Sequence, residues 1–435
     1  MEGKVVKGNR ITEGSIFGQL LLFFFPILFG TFFQQLYNTA DAMVVGRFVG
    51  KQALAAVGGS TSTLINLLVG FFVGLSSGAT VVISQFYGAR KADKVHWAVH
   101  TSIAFSVIGG IIFMIVGLVG SPWALEAMKT PEDVMGHAVV YIRIYFLGII
   151  VNLVYNMGAG ILRAVGDSRR PLYFLIASCF TNIILDVLLV AVLGMGVAGA
   201  ALATITSQLL SAVLVVLALM KTDDMYKLEW KKVRIDQRML QRIVRIGIPA
   251  GMQSVMYNIS NVIIQAGVNT LGTDNVTAWA TYGKVDGLYW MMINALGISA
   301  TTFVGQNFGA GRLDRVRKGA GACMVIGVVL TASVGVVLYN GGHLLVELFT
   351  CLLYTSPVYG TVRLQLLDIP YILQFIELVL YLFQDGLVSQ GNHGHPGVPR
   401  VSGDTYSQTL NIVSAAAEQP CYTGQHTCSI VHKQR

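Results

Sequence analysis

Charge is what this chain has least of. Only 30 Lys and Arg and 22 Asp and Glu stand among 435 residues, 12% of the chain, where soluble domains carry about a quarter. That shortage, with 54% hydrophobic residues, excludes a water-soluble globular protein and points to a polytopic membrane protein. Cysteine is scarce as well. Cys179, Cys323, Cys351, Cys421 and Cys428 form neither a disulfide framework nor a zinc-ligand pattern. No nucleophile elbow, phosphate loop or metal cluster is readable, which argues against a membrane-embedded enzyme and implies no cofactor. A cleavable leader is not expected, because the first apolar run begins near Ile16 and outlasts a signal-peptide core.

What is abundant is apolar length. Crossing a hydrocarbon core takes about 20 apolar residues, and such stretches fall near 16–46, 54–87, 96–120, 138–160, 172–193, 197–220, 243–271, 276–308, 318–341 and 362–384. Basic residues alternate between the loops. Lys4, Lys7 and Arg10, then Arg90, Lys91 and Lys94, then Arg163, Arg169 and Arg170 mark one side, together with the loop from Lys221 to Arg245 and with Arg312, Arg315, Arg317 and Lys318. The other side holds only Arg47, Lys51 and Lys129. The positive-inside rule makes the N-terminus and the basic loops cytoplasmic. The net charge of +8 is therefore read as topology, and no nucleic-acid partner is expected.

The chain repeats itself. "VVISQFYGARKADKV" at 81–95 matches "TTFVGQNFGAGRLDRV" at 301–316, placing Gln85 on Gln306, Gly88 on Gly309 and Asp93 on Asp314, 221 residues apart. Pro26 likewise pairs with Pro249 and Asn38 with Asn261, at 223. An even number of spans separates the copies, so both enter the membrane from the same side. The predicted fold is all-α: two six-helix bundles related by a pseudo-two-fold axis along the membrane normal, with a binding region between them. The expected domains are an N-terminal lobe at 1–220, a basic linker at 221–245, a C-terminal lobe at 246–384 and an atypical polar tail at 385–435.

Polar groups inside an apolar helix are costly and by default functional. Gln34, Asn38 and Asp41 share a helical face by their spacing of four, three and seven, and Tyr37 lies four residues before Asp41. Asn182 and Asp186 share another face, Thr204 falls at a comparable depth, and Asn156 lies on a neighbouring span. Desolvation disfavours the charged form of a carboxylate, so two acids together suit a site for a proton or cation. In the second copy the place of Asp41 is taken by Ile264, and Lys284 and Asp286 are the charged residues inside a span. His96 and His100 have a metal-compatible spacing, but their place at a helix start beside Trp97 assigns them to the interface.

"QQLYNTADAMVVGRFVGKQALAAVGG", "SQFYGAR", "RAVGDSRRP", "GVAGAALATITSQ" and "GQNFGAG" resemble the multidrug and toxic compound extrusion family over residues 10 to about 345. The resemblance implies twelve helices, alternating access, and export of amphipathic, often cationic drugs in exchange for H+ or Na+. It also implies a monomer in the bacterial inner membrane. Its N-lobe ion site maps onto Asp41, Asn182, Asp186 and Thr204, and its cavity-lining positions onto Tyr37 and Asn156. From the residues themselves, Gln34 and Asn38 join that lining, with Lys284 and Asp286 in the second lobe. A lipid-linked oligosaccharide flippase of the same superfamily is the alternative; it would call for several cavity arginines, whereas Arg143 alone lies away from the ends of a predicted span. Residues 385–435 contain no apolar 20-mer and lack the second copy of "RAVGDSRRP". The last two helices are thus expected to be missing or scrambled by a frameshift or chimeric junction after about residue 345.

Overall fold

The computed structural model describes residues 10–269 and 273–350; side chains of Tyr339, of 341–350 and of several residues between 266 and 285 lie outside the described part. The chain divides into two units, Met1–Gly386 and Leu387–Arg435, and all described residues belong to the first. The tenth predicted span and the polar tail lie outside the described residues.

Every regular element among the described residues is helical. The first lobe contains α1 (Ile16–Phe48), α2 (Lys51–Gly58), α3 (Ser60–Gly88), α4 (Ala92–Ala127), α5 (Glu132–Leu147), α6 (Ile149–Ala164), α7 (Arg169–Asp186) and α8 (Gly196–Met220). The second begins with α9 (Gln237–Asn269), α10 (Thr273–Gly309) and α11 (Leu313–Thr350). Ser15 caps α1 by accepting from the Gly18 amide at 3.4 Å, and the helix continues through Pro26. A helix of 33 residues is about 50 Å long, more than a bilayer core requires.

Seven of the described helices or helix pairs are long and apolar enough to cross a membrane, and the pair α5–α6, bent by 51° at Gly148, brings the number to eight. The seventh predicted span, as far as residue 269, lies within α9. It is long enough, but Gln253, Ser254, Asn258, Ser260, Asn261 and Gln265 keep its composition too polar to count on hydropathy alone. The second predicted span, 54–87, is two helices, α2 and α3, separated at Gly59.

The duplication is visible as geometry. At the end carrying the basic loops, α3 and α10 cross so closely that a Cβ built on Gly88 would lie 2.8 Å from the Gln306 Cα, and one on Gly309 would lie 2.9 Å from the Gln85 Cα. Exchanging 85 with 306 and 88 with 309 reproduces the same contact, as a two-fold relation between copies requires. Further along, α3 packs on α9 through glycine. A Cβ on Gly74 would sit 2.6 Å from the Gly251 Cα, and one on Gly78 2.9 Å from the Gly247 Cα. The glycine spacing in α3 thus serves close approach between lobes. The matching α1–α10 seam is built differently, from Leu20, Phe23, Phe24 and Ile27 against Ala295, Leu296, Ala300 and Phe303.

Toward the opposite end Asn38 and its repeat partner Asn261 are both exposed. The lobes are therefore closed together at the basic end. Gly309→Val or Gly88→Val places a branched side chain against main-chain atoms, and overpacking costs about 1–3 kcal/mol. Either substitution should open this end, so that a cysteine at the fully buried Ser84 reacts with an impermeant thiol reagent about tenfold faster than in the parent. Gly120→Val, with nothing within 4 Å, should leave the rate unchanged; equal rates in all variants would remove glycine as the condition for closure.

Candidate functional site

The polar stripe on α1 is divided by the fold. Tyr37 and Asp41, one turn apart, point into the first lobe and are 5% and 4% exposed, whereas Gln34 is half-buried and Asn38 faces outward. The face predicted for Gln34, Asn38 and Asp41 thus runs from exposed at Asn38 to buried at Asp41. Packing of α1 on α7 selects the edge that carries Asp41.

Three helices meet at that carboxyl. From α7, Asn182 donates its Nδ2 to Asp41 Oδ1 at 3.4 Å; from α8, the Thr204 hydroxyl lies 3.0 Å from Asp41 Oδ2. Asp186, one turn beyond Asn182, faces Asp41 across the same gap. Asn182 and Asp186 are fully buried and Thr204 nearly so. Ser178 holds α7 to α8 by donating to the Ser207 carbonyl at 2.8 Å. Immediately after Asp186 the backbone widens into a π-helix over Val187–Val192, a departure from α-geometry that recurs at functional sites.

The site is rich in acceptors and poor in hydrogen. Both Asp186 oxygens and Asn182 Oδ1 are buried without a hydrogen-bond partner. Two ionised carboxylates offer each other no donor, so the Asp41–Asp186 contact becomes a hydrogen bond only when one of them carries a proton. The Thr204 hydroxyl reaches Asp41 Oδ2 and the Ala200 carbonyl at the same 3.0 Å, yet it has one hydrogen. It donates to Asp41 when that acid is ionised, and it is free to donate to Ala200 when Asp41 is protonated and donates instead. The arrangement can register the arrival of one proton or one small cation.

A family model for MatE matches residues 26–188 and 249–392, two segments whose starts are 223 residues apart, the spacing of the internal repeat. The chain belongs to the MatE family. The second match takes in the tenth apolar stretch. The chain is 28% identical over 350 residues to the probable multidrug resistance protein YoeA of Bacillus subtilis, covering 78% of this chain and 75% of that one. To the multidrug export protein MepA of Staphylococcus aureus it is 24% identical over 340 residues, 78% of this chain and 74% of that one. Among solved structures it matches an outward-facing multidrug resistance MATE family transporter of the MOP superfamily, with a TM-score of 0.81 at 22% identity, over 88% of this chain and 86% of that one. A MATE crystal structure in a bent conformation matches with a TM-score of 0.80, again at 22% identity, over 88% and 85%. The protein is a multi-pass helical membrane protein of a transporter family, and not an enzyme.

Of the positions predicted from this MatE sequence, Asp41, Asn182, Asp186 and Thr204 come together, with Tyr37 and Gln34 at the edge. Asn156 is engaged elsewhere, its Nδ2 donating to the Asn152 carbonyl and side-chain oxygens at 2.9 Å. Asp286 sits half-buried in the second lobe, within electrostatic reach of Tyr257 and Tyr289, and the Lys284 side chain lies outside the described residues. Two neighbours were not predicted. Gln208 meets the Tyr37 hydroxyl and Tyr141 meets Thr204. Gln208 follows Thr204 by four residues on α8 and was legible by the same face rule as Asp186; Tyr141 arrives from α5 and carries no signal along the chain.

Asp186→Asn supplies an amide donor where two acceptors now face each other. The purified variant should be more stable than the parent at pH 8 by about 1–3 kcal/mol, the cost of a buried unsatisfied polar group, with the advantage shrinking at pH 5. Thermal unfolding at both pH values reads this; an advantage independent of pH would rule out the acid–acid contact.

Proposed function

We propose that this protein is a monomeric secondary active exporter of amphipathic, cationic drugs in the bacterial inner membrane, driven by H+ or Na+. The observation that carries the reading is the buried Asp41–Asp186 pair, with three orphaned acceptor oxygens around it, inside one lobe of a duplicated two-lobe membrane protein. Two relatives whose names record multidrug resistance and export support the drug class. With the basic loops cytoplasmic, the closed seam at Gly88 and Gly309 faces the cytosol, and the structure corresponds to an outward-facing state.

The coupling follows from charge. An ion arriving from outside is held by the acceptors of Asp41, Asp186 and Asn182, which removes the repulsion between the acids and lets α1 draw toward α7 and α8. The change in α1 alters the wall of the cavity and lowers its affinity for drug, which leaves to the outside. A ligand shifts such an equilibrium only by its differential affinity for the two states, so ion and drug need only prefer opposite ones. Inward opening at the glycine seam then releases the ion to the cytosol.

Efflux of a fluorescent cationic dye from cells expressing the parent, Asp41→Asn or Asp186→Asn at matched levels tests the assignment. Both variants should fall to the level of cells without the transporter, and dye export against a gradient by either one would overturn it. Parallel runs with a proton uncoupler and with or without sodium identify the ion.

A further inference from the structure

The basic linker between the lobes is not a free tether. It folds back onto the first lobe, burying Tyr226 and Leu228. The Tyr87 hydroxyl donates to Asp224 Oδ2 at 3.0 Å, the Leu228 amide to the Leu219 carbonyl at 2.9 Å, and the Asp236 amide to Thr101 Oγ1 at 3.0 Å. The Arg234 guanidinium lies over the Trp97 ring at 4.3 Å. Asp236 also caps α9 by accepting from the Met239 amide at 2.9 Å, so the linker ends where the first helix of the second lobe begins.

At the centre of this docking is His100, which sequence placement assigned to the membrane interface with His96. It is instead fully buried, because α4 turns that face toward the linker. His100 Nδ1 lies 2.7 Å from the His96 carbonyl oxygen, and the Glu229 amide donates to His100 Nε2 at 3.0 Å. A carbonyl can only accept and a backbone amide can only donate. Together these partners require a neutral imidazole with its hydrogen on Nδ1. A proton on Nε2 would set two N–H groups against each other at that distance and place a charge on a fully buried ring.

We propose that His100 is a pH-sensitive clasp, holding the interlobe linker against the first lobe when neutral and releasing it when the cytosol acidifies. The charged groups that reach the His96–His100 pair are Glu229, Lys232 and Asp93. Glu229 is paired with Lys232 at 2.8 Å on the exposed side, and Lys232 opposes positive charge on the histidine pair. His96, with its ring 4.0 Å from that of His100, would add like charge on protonation. Protonation at Nε2 therefore breaks the Glu229 amide contact. The Asp236–Thr101 bond and the Tyr226–Leu228 plug remain, so release is local and confined to the stretch of linker around Glu229. This clasp is independent of the Asp41–Asp186 site, which lies on other helices.

Hydrogen exchange of the full-length protein in nanodiscs, corrected for intrinsic rates, tests the clasp at pH 7.5 and 5.5. In the parent, peptides spanning 225–233 should lose about fivefold or more in protection at the lower pH, the worth of one hydrogen bond of about 1 kcal/mol. His100→Gln, which can accept from the Glu229 amide but does not titrate, should stay protected at both pH values. Should that variant fail to fold, the parent compared with Asp41→Asn decides: the acid-induced loss must persist when the coupling site is disabled. Equal protection at both pH values in the parent, the same loss in His100→Gln, or its disappearance in Asp41→Asn would each overturn the proposal.

Discussion

Two buried carboxyl groups facing each other are the constraint around which the first lobe is organised. Asp41 and Asp186 offer only acceptors when ionised, and burial at 4% and 0% exposure denies them solvent. The surrounding helices answer only in part. Asn182 and Thr204 donate to Asp41, while both oxygens of Asp186 are left without a donor. This deficit of donors is what the proposed proton or cation would make good.

Transmitting that response requires lobes that fit closely yet part easily. The α3–α9 and α3–α10 contacts rest on glycine against main chain at Gly74, Gly78, Gly88 and Gly309, so few side chains must repack when they separate. The α1–α10 seam instead interlocks phenylalanine and leucine and resists sliding. The linker adds a third element, fixed to the first lobe through His100 and Thr101 and leading directly into α9.

The second lobe shows why duplication need not duplicate function. Ile264 stands where Asp41 stands in the first copy, so the acid pair has no counterpart there, although the two copies still meet through reciprocal contacts at Gln85, Gly88, Gln306 and Gly309. Packing at the shared axis constrains both copies equally. The buried acid pair lies inside one bundle, away from those reciprocal contacts.

Helix positions, the internal repeat and the residue types of the buried polar cluster were legible along the chain, because hydropathy over a span and face-sharing at three, four and seven residues depend only on local geometry. Asp41, Asn182, Asp186 and Thr204 could be named, and Gln208 could have joined them by its spacing from Thr204. Other features were decided by tertiary packing. Rotation of α1 against α7 put Tyr37 beside Asp41 inside the lobe and left Asn38 outside, and α5 delivered Tyr141. Folding of the linker turned His100 from an interfacial residue into a buried acceptor. A sequence specifies which faces a helix possesses; which of them meets a partner depends on contacts between residues more than a hundred positions apart.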